Sequence, residues 1–268
     1  MRFFFFLLAS MSVGLLAAQE PAGDRAAAIP ALPGFSIDQT GQPDQLALTS
    51  AITASKPFSV TGPRGALLGQ QDGSFEAWIF PWKILGGMHI QVVMQDYPVP
   101  IDVNQQAATI KVQPGRTTIT FSHANFTIRE TLFAPQNAPE GAGALAFFSL
   151  DAVRPMTVTF SFTPEMQRMW PASSDDRPSP EWVKRGDSGF YVLHLRFPDN
   201  AAALAMPTAQ PGILPPYQER PKEYPLQFVI HFDPATGSGK LYPLLMTNGG
   251  HSGFGGHSGF GGSPADPR

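Results

Sequence analysis

The stretch TIKVQPGRTTITFSHANFTIRETLF, residues 109–133, decides the fold class. Its first two runs are rich in Thr, Ile and Val, and they are separated by Gln113-Pro114-Gly115-Arg116. Pro-Gly fits the two central positions of a type II turn, because proline presets a negative φ and glycine accepts a positive one. In the third run, the residues of one alternating phase are Phe126, Ile128, Glu130 and Leu132. The segment therefore predicts three successive antiparallel strands, a meander.

The same alternation of apolar and polar residues recurs on both sides of this meander. Further strands are predicted at Phe75–Phe80, Met88–Met94, Ala144–Leu150, Met156–Phe162, Phe190–Phe197 and Leu226–Phe232. Two polar segments, 164–186 and 207–225, are predicted to be long loops. No long segment has the 3.6-residue periodicity and the caps of a helix. Many strands without helices predict an all-β chain, built as a two-layer antiparallel β-sandwich with long loops.

The composition excludes several classes of function. The 268 residues carry a net charge of −3, and Lys and Arg are scattered rather than clustered. We therefore expect no nucleic-acid partner and no electrostatic attraction to an anionic membrane. The chain has no cysteine, so its stability must come from burial rather than from disulfides. Its 28 prolines and 26 glycines fit many short strands joined by turns.

The two ends of the chain differ from its middle. Residues 1–18 contain one basic residue, followed by a short apolar run that ends in small residues. This pattern is typical of a secretory signal peptide. The run is too short for a stable membrane span of about 20 residues, so export to the periplasm or the extracellular space is predicted, with an uncleaved anchor as the alternative. Residues 19–45 are predicted to be a flexible lead-in and 46–247 the sandwich domain. Residues 248–268, with a tandem HSGFGG repeat, are predicted to be a disordered glycine-rich tail or linker.

The sequence contains no catalytic or metal-binding signature. Glycine-rich nucleotide loops, the HExxH and GxSxG motifs and a catalytic cysteine are all missing from it. Four histidines lie far apart in or beside predicted strands, and we interpret them as hydrogen-bonded sheet residues: His89, His123, His194 and His231. We therefore predict no metal, no cofactor and no catalytic residue in this chain.

Carboxylates are considered separately, because cleavage of a glycosidic bond needs only two of them, one as the acid and one as the base or nucleophile. Glu76 and Glu165 are the candidates. Glu76 shares a strand face with Trp78 and Phe80, an apolar setting that is expected to raise the pKa of its carboxyl group. Glu130 is interpreted instead as one half of a structural ion pair on the sheet.

Four tryptophans could form a platform for a sugar, since a flat aromatic ring packs against the C–H face of a pyranose. These candidates are Trp78, Trp82, Trp170 and Trp182, with Gln70, Glu76 and Glu165 as hydrogen-bond partners. Trp78 alternates with Phe80 along its strand and is expected to pack between the sheets. Trp170 and Trp182 fall in the predicted loop 164–186, where core packing, sugar contact and a domain interface are all open.

Three motifs carry a resemblance to a known family: LLGQQDGSFEAWIFP at 67–81, RETLFAP at 129–135 and MWP at 169–171. With them, residues 46–246 resemble the N-terminal β-sandwich of bacterial six-hairpin glycosidase-like proteins, which are related to amylo-α-1,6-glucosidases and glycogen-debranching enzymes acting on α-glucans. The resemblance implies a sandwich of the super-sandwich type. It also implies that the acid and base carboxylates belong to a following (α/α)6 barrel, which is absent here. No catalytic residue of the family is therefore carried over onto this sequence.

These observations leave three functions to weigh, besides a wholly structural protein of the cell envelope. The first, which the resemblance favours, is an accessory module of an exported glycoside hydrolase-like protein that packs against a helical-barrel domain and is not active alone. The second is a self-standing carbohydrate-binding protein that uses its loop tryptophans. The third is a sandwich-type glycosidase or lyase that uses Glu76 or Glu165.

Overall fold

The computed structural model describes residues 46–53, 55–137, 142–169, 177–186, 188–195, 200–213 and 225–249. The predicted signal peptide, the lead-in and nearly all of the predicted tail lie outside these residues. The first strands of the described part are β1 (Leu48–Ala51), β2 (Pro57–Thr61), β3 (Gly65–Gln70), β4 (Phe75–Ile79), β5 (Trp82–Met94) and β6 (Tyr97–Asp102). The next are β7 (Ala107–Gln113), β8 (Arg116–His123), β9 (Phe126–Phe133), β10 (Ala142–Ala152) and β11 (Met156–Arg168). The last are β12 (Ser179–Arg185), β13 (Ser188–Leu195), β14 (Asn200–Ala205), β15 (Gln210–Pro211), β16 (Leu226–Phe232) and β17 (Leu241–Gly249).

The strands form two antiparallel sheets that pack face to face, which confirms the predicted all-β sandwich. The larger sheet has nine strands in the order β1-β7-β8-β9-β10-β17-β14-β13-β12. The smaller has eight, in the order β15-β16-β11-β5-β4-β3-β2, with β6 also paired to β5. Helical structure in the described residues is limited to a 3-10 turn at Asn104–Gln106 and one turn of α-helix, α1, at Pro234–Gly237. None of the described helices is long and apolar enough to cross a membrane.

The predicted meander is confirmed as β7, β8 and β9. Its first turn contains Gly115 at φ +76°, the positive value that the Pro-Gly pair predicts. Ile119 of β8 faces Ile110 of β7 on one side and Glu130 of β9 on the other. This register aligns the buried phases of the three strands, so the inner face of the larger sheet is continuous.

The core lies between the sheets and is filled by the inner phase of most of the strands. In β11, for example, Val158, Phe160 and Phe162 are fully buried, while the alternating Thr157, Thr159 and Ser161 are only half-buried. The ring of Phe160 packs against Phe148 of β10 with centroids 4.5 Å apart, which joins the two sheets. Period-two burial of this kind is what holds two antiparallel sheets together.

The prediction of a long loop over 164–186 was wrong at both of its ends. The strand β11 continues to Arg168, because its pairing with β5 persists past two register shifts and still joins Arg168 to Trp82. Residues 179–185 form β12, the edge strand of the larger sheet. Residues 170–176 and 214–224, the middle parts of the two predicted loops, lie outside the described residues, as does Trp170.

A second apolar cluster lies on the side of the larger sheet that faces away from the core. It is formed by Phe190 and Val192 of β13 and by three alanines of β14, namely Ala201, Ala203 and Ala205. The intervening residues of the same strands, such as Leu193 and Leu204, belong to the main core. Both faces of β13 and β14 are therefore apolar, which the sequence analysis did not predict.

Candidate functional site

The strand β4 places Glu76 and Trp78 on the outer face of the smaller sheet. Phe75, Ala77 and Ile79 are buried in the core, so the alternating Glu76 and Trp78 point away from it. This corrects the prediction that Trp78 packs between the sheets. The inner phase is Phe75, Ala77 and Ile79, because pairing with the neighbouring strands decides which phase of β4 faces the other sheet.

Glu76, Trp78, Lys83 and Glu165 converge on this outer face, and we call them the Lys83 cluster. The Lys83 Nζ atom lies 2.7 Å from Glu76 Oε2 and 3.1 Å from Glu165 Oε2. The Trp78 indole Nε1 donates a hydrogen bond of 2.9 Å to Glu76 Oε1. One ammonium group thus joins two carboxylates from strands that are distant in sequence.

The register of three neighbouring strands builds the Lys83 cluster. Trp78 of β4 faces Lys83 of β5, so their side chains lie side by side on one face of the sheet. Glu165 comes from β11, on the other side of β5, and its Oε1 atom lies over Gly86. A Cβ atom at position 86 would collide with that carboxylate, so glycine leaves the room in which Glu165 reaches Lys83.

The charges of the Lys83 cluster stabilise one another. Partial burial alone would raise the pKa of Glu76, but the hydrogen bonds from Lys83 and Trp78 and the charge of Lys83 outweigh it and lower that pKa. Burial alone would likewise lower the pKa of Lys83, yet the hydrogen bonds to Glu76 and Glu165 raise it. Glu76 and Lys83 are therefore both charged at neutral pH. The predicted upward shift of the Glu76 pKa was wrong, because Lys83 could not be recognised as its partner from the strand pattern.

Two further tryptophan candidates, Trp82 and Trp182, lie outside the Lys83 cluster, and Trp170 is not among the described residues. Trp82 is only 3% exposed and belongs to the core, with the Arg168 guanidinium 5.4 Å from its ring centroid. Trp182 lies on β12 rather than in a loop, and its half-buried ring packs edge-on against Tyr191 with centroids 4.8 Å apart. Both rings therefore have protein neighbours on at least one side.

Gln70 lies apart from Lys83, in a groove of about 800 Å³ that runs along β2, β3 and β4. Gln70 is exposed at the end of β3, and Glu76 lines the same groove, which also reaches Val112 and Thr117 of the larger sheet. Glu76 thus connects the groove to the Lys83 cluster. The other walls of the groove are mainly apolar and are formed by residues such as Phe58 and Leu68.

The four sheet histidines each contact a separate partner. His89 Nε2 lies 3.4 Å from Asp102 Oδ1, and His194 Nε2 lies 3.6 Å from Glu181 Oε2. His231 Nδ1 is 3.1 Å from Thr157 Oγ1, while the Asn125 amide donates to His123 Nδ1. Among the described residues, no group of three or more His, Cys, Asp or Glu side chains converges.

Glu130 lies in the core rather than in the predicted ion pair on the sheet. Its side chain is 0% exposed, on the inner face of β9, and neither carboxylate oxygen has a hydrogen-bond partner in the described part of the chain. Burial, with a smaller contribution from the charge of Asp72, raises its pKa well above the ordinary glutamate value. The predicted ion pair is therefore wrong. The alternation along β9 did indicate that Glu130 is buried, because Glu130 has the same phase as Ile128 and Leu132.

Comparison with known proteins does not assign the chain to a family. No protein-family model matches the sequence, and no curated protein matches it. One solved structure that resembles it is described as "Putative kojibiose phosphorylase from human microbiome", with 9% sequence identity and a TM-score of 0.37. The match covers 75% of this chain and 25% of that chain, so the similar region is about a quarter of the longer protein.

Proposed function

We propose that this chain is an accessory β-sandwich module of an exported, carbohydrate-active protein, and that it is not catalytic alone. In this proposal it packs against a helical-barrel domain that carries the acid and the base. The observation that carries the proposal is the position of Lys83, whose single ammonium group binds both carboxylates that were candidates for glycoside cleavage. The motifs at 67–81, 129–135 and 169–171 support the type of protein.

A general acid has to hold a proton at the working pH, and Glu76 does not meet this requirement. Its pKa is lowered by Lys83 and Trp78 despite partial burial, so it is ionised at neutral pH. As a nucleophile, Glu76 would be weakened by the hydrogen bonds that its two oxygens accept from Lys83, at 2.7 Å, and Trp78, at 2.9 Å. These contacts favour a role in shaping the surface over a role in bond cleavage.

The groove is the surface that we assign to the partner domain. Beside it, Leu48 of β1 pairs with Val112 of β7, and the two side chains are 71% and 39% exposed. Exposed apolar side chains that adjoin a mainly apolar groove are typical of an interaction surface. Gln70 and Glu76 supply polar contacts at the same place.

The test uses the full chain and the polypeptide encoded by the reading frame immediately downstream. We expect that polypeptide to be a helical barrel and to co-purify with this chain, because the groove is its docking surface. Val112→Lys should weaken the complex by at least about tenfold, since a buried unpaired charge costs more than 1.4 kcal/mol. Val153→Lys is the matched control, because Val153 is 68% exposed and does not line the groove.

Two outcomes would contradict the proposal. One is a downstream polypeptide that is not a barrel or does not bind. The other is release of reducing sugar from α-linked gluco-oligosaccharides by this chain alone, abolished in Glu76→Gln. That result would favour the sandwich-type glycosidase, in which Glu76 or Glu165 acts directly.

A second candidate function, sugar binding by the chain alone, is favoured by the outer position of Trp78. Its half-buried ring lies on the sheet surface next to Glu76, an arrangement that suits stacking on a sugar. Electrophoresis of the full chain through gels that contain glycogen or pullulan tests this function. Retardation that is lost in Trp78→Ala and kept in Tyr97→Ala, an exposed aromatic residue elsewhere, would support it.

A further inference from the structure

We propose that the groove is an acceptor site for a β-strand: the downstream polypeptide inserts an extended, uncharged segment that pairs with the free edge of β2 and lies under β7 and β1. This inference rests on the proposed function. It adds which kind of segment of the partner binds, and through which contacts.

The larger sheet extends past the edge of the smaller sheet on the side of the groove. β2 is the last strand of the smaller sheet, and it contacts β8 and β9 of the larger one. The next two strands of the larger sheet, β7 and β1, lie beyond β9 and β8 in the strand order. Because neighbouring strands are about 4.8 Å apart, this overhang is about 10 Å wide, enough for one further strand beside β2.

The exposure of one row of paired residues shows where a covering strand is missing. The row runs on the inner face of the larger sheet from Leu132 of β9 through Thr117 and Val112 to Leu48 of β1. Leu132 and Thr117 are 0% and 1% exposed, whereas Val112 and Leu48 are 39% and 71% exposed. Thr117 and Val112 also line the groove. The inner face is therefore covered as far as β8, and its apolar residues are exposed on β7 and β1.

The free edge of β2 offers backbone groups to an added strand. The Gly62 amide, just after β2, donates to the Gly65 carbonyl, so the even-numbered residues of β2 direct their backbone groups toward β3. Backbone groups alternate in direction along a strand, so those of Ser59 and Thr61 point away from β3. Both residues are exposed, and no strand in the described part of the chain pairs with this edge. Pro57 points the same way but has no N–H, so Ser59 and Thr61 supply the donors.

The charges around the groove favour an uncharged segment. Of the described residues that line the groove, only Glu76 is ionisable, and Lys83 already neutralises its charge. β1 and β2, LTSA and PFSVT, contain no charged residue, whereas the edge strand β12 contains Glu181, Lys184 and Arg185. Charged side chains on an edge strand oppose pairing with another chain. β1 and β2 lack this protection, so their side of the sandwich is the one open to pairing.

The length and pattern of the segment follow from the same geometry. β2 has five residues, so an added strand of about five residues, about 17 Å long, would cover it. Added strands gain affinity from main-chain hydrogen bonds and specificity from alternate side chains. We therefore expect apolar residues at alternate positions, directed toward Val112 and Phe58, and uncharged polar residues between them.

The experiment is amide hydrogen exchange, followed by NMR, on the full chain alone and in complex with the downstream polypeptide. The amides of Ser59 and Thr61 should exchange at least about tenfold more slowly in the complex, because an added strand accepts hydrogen bonds from them. The amides of β12, at the opposite end of the larger sheet, should exchange at the same rate in both samples.

A pair of variants tests the same contact. Ser59→Pro removes an N–H that β3 does not use, and it should weaken the complex by at least about fivefold, the contribution of one hydrogen bond. Ser59→Ala is the matched control, since it keeps the N–H and should bind as the unaltered chain does. The exchange measurement uses the unaltered chain, so it decides even if Ser59→Pro fails to fold.

The outcomes separate this inference from the proposed function. A complex in which Ser59 and Thr61 exchange as in the free chain, or equal binding by Ser59→Pro and Ser59→Ala, would overturn the added strand and leave the accessory module standing. Slow exchange of both amides in the chain alone, with a dimer in sedimentation, would place a second copy in the groove and overturn it too. Failure to form any complex would overturn the proposed function and this inference together.

Discussion

Glu76 and Glu130 occupy similar positions in sequence and opposite positions in structure. Each is the one acidic residue of its strand, in FEAWI and FTIRETLF. Glu76 points outward and lies 2.7 Å from the Lys83 ammonium, whereas Glu130 points inward and is 0% exposed. Burial alone would raise the pKa of both, but Lys83 and Trp78 reverse the direction at Glu76, and at Glu130 the charge of Asp72 adds to it.

The difference shows that the partner of a carboxyl group, and not the apolar character of its strand, decides its charge state. Glu76 is partly buried among aromatic residues and is nevertheless ionised, because a cation and an indole N–H reach it. Glu130 has no such donor in the described part of the chain, so burial dominates. The two residues therefore respond in opposite ways to pH, and this contrast can be tested directly.

The largest effect is expected from Glu130→Leu, measured by urea unfolding. The folded chain binds the Glu130 proton more tightly than the unfolded chain does. The free energy of unfolding of the unaltered chain therefore falls as the pH rises above about 4.3, the ordinary glutamate pKa, and continues to fall up to the raised pKa. Removing the unpaired carboxyl group should stabilise the fold at pH 8 by about 1–3 kcal/mol, and by less at pH 5.

Glu130→Gln separates charge from polarity in this comparison. The amide cannot ionise, so this variant should lose the dependence on pH but gain less stability than Glu130→Leu, because a buried polar group remains. A gain from Glu130→Leu that is equal at pH 5 and pH 8 would show that Glu130 does not titrate differently in the two states. A loss of stability at pH 8 would contradict the account of Glu130 altogether.

An intermediate effect is expected from Lys83→Met, which leaves Glu76 and Glu165 next to each other without their shared cation. Lys83 is 15% exposed and its partners about twice as much. The cost should therefore lie below that of a fully buried pair, at about 1–2 kcal/mol at pH 7. The cost should shrink as the pH falls through the lowered pKa of Glu76, because the stabilisation by Lys83 is lost there.

The control for Lys83→Met is Lys240→Met, because Lys240 is exposed beyond α1 and its loss should change the free energy of unfolding by less than about 0.5 kcal/mol. Adding Glu76→Gln to Lys83→Met should recover part of the loss, since it removes one of the two facing charges. If the double variant is as unstable as the sum of the single ones, the two residues are not coupled.

The sequence predicted those parts of the fold that depend on local pattern. β16 was predicted at Leu226–Phe232 and lies at those residues, and the Pro-Gly turn joins β7 to β8 as expected. The strands β3 and β14 were missed, because GALLGQ and NAAALA lack the β-branched and aromatic residues that mark a strand. Their pairing with neighbouring strands decides their structure instead.

The positions of the candidate site residues were predicted less well than the strands. Alternation of apolar and polar residues shows that a strand has two faces, but it does not show which face meets the other sheet. In the structure Trp78 lies on the outer face of the smaller sheet and Trp82 lies in the core. Trp78 had been expected in the core. The role of Lys83 is not visible in the local pattern, since it follows the Phe80-Pro81 turn and meets Glu165 only through the long-range pairing of β5 with β11. Contacts between residues about 80 positions apart cannot be predicted from local pattern.

The smallest effect is expected from Trp78→Phe, which keeps an aromatic ring and removes the Nε1 hydrogen bond to Glu76. The lowered pKa of Glu76 stabilises the fold above about pH 4.3, and this contribution is lost as the pH falls through the lowered value. Trp78→Phe should raise the pKa of Glu76, measured by NMR titration, by less than Lys83→Met does, and should cost about 0.5 kcal/mol at pH 7. Trp182→Phe, a control on β12, should leave that pKa unchanged. If Trp78→Phe raises it as far as Lys83→Met, the indole rather than the ammonium group keeps Glu76 ionised, and the contrast with Glu130 would depend on a hydrogen bond instead of a charge.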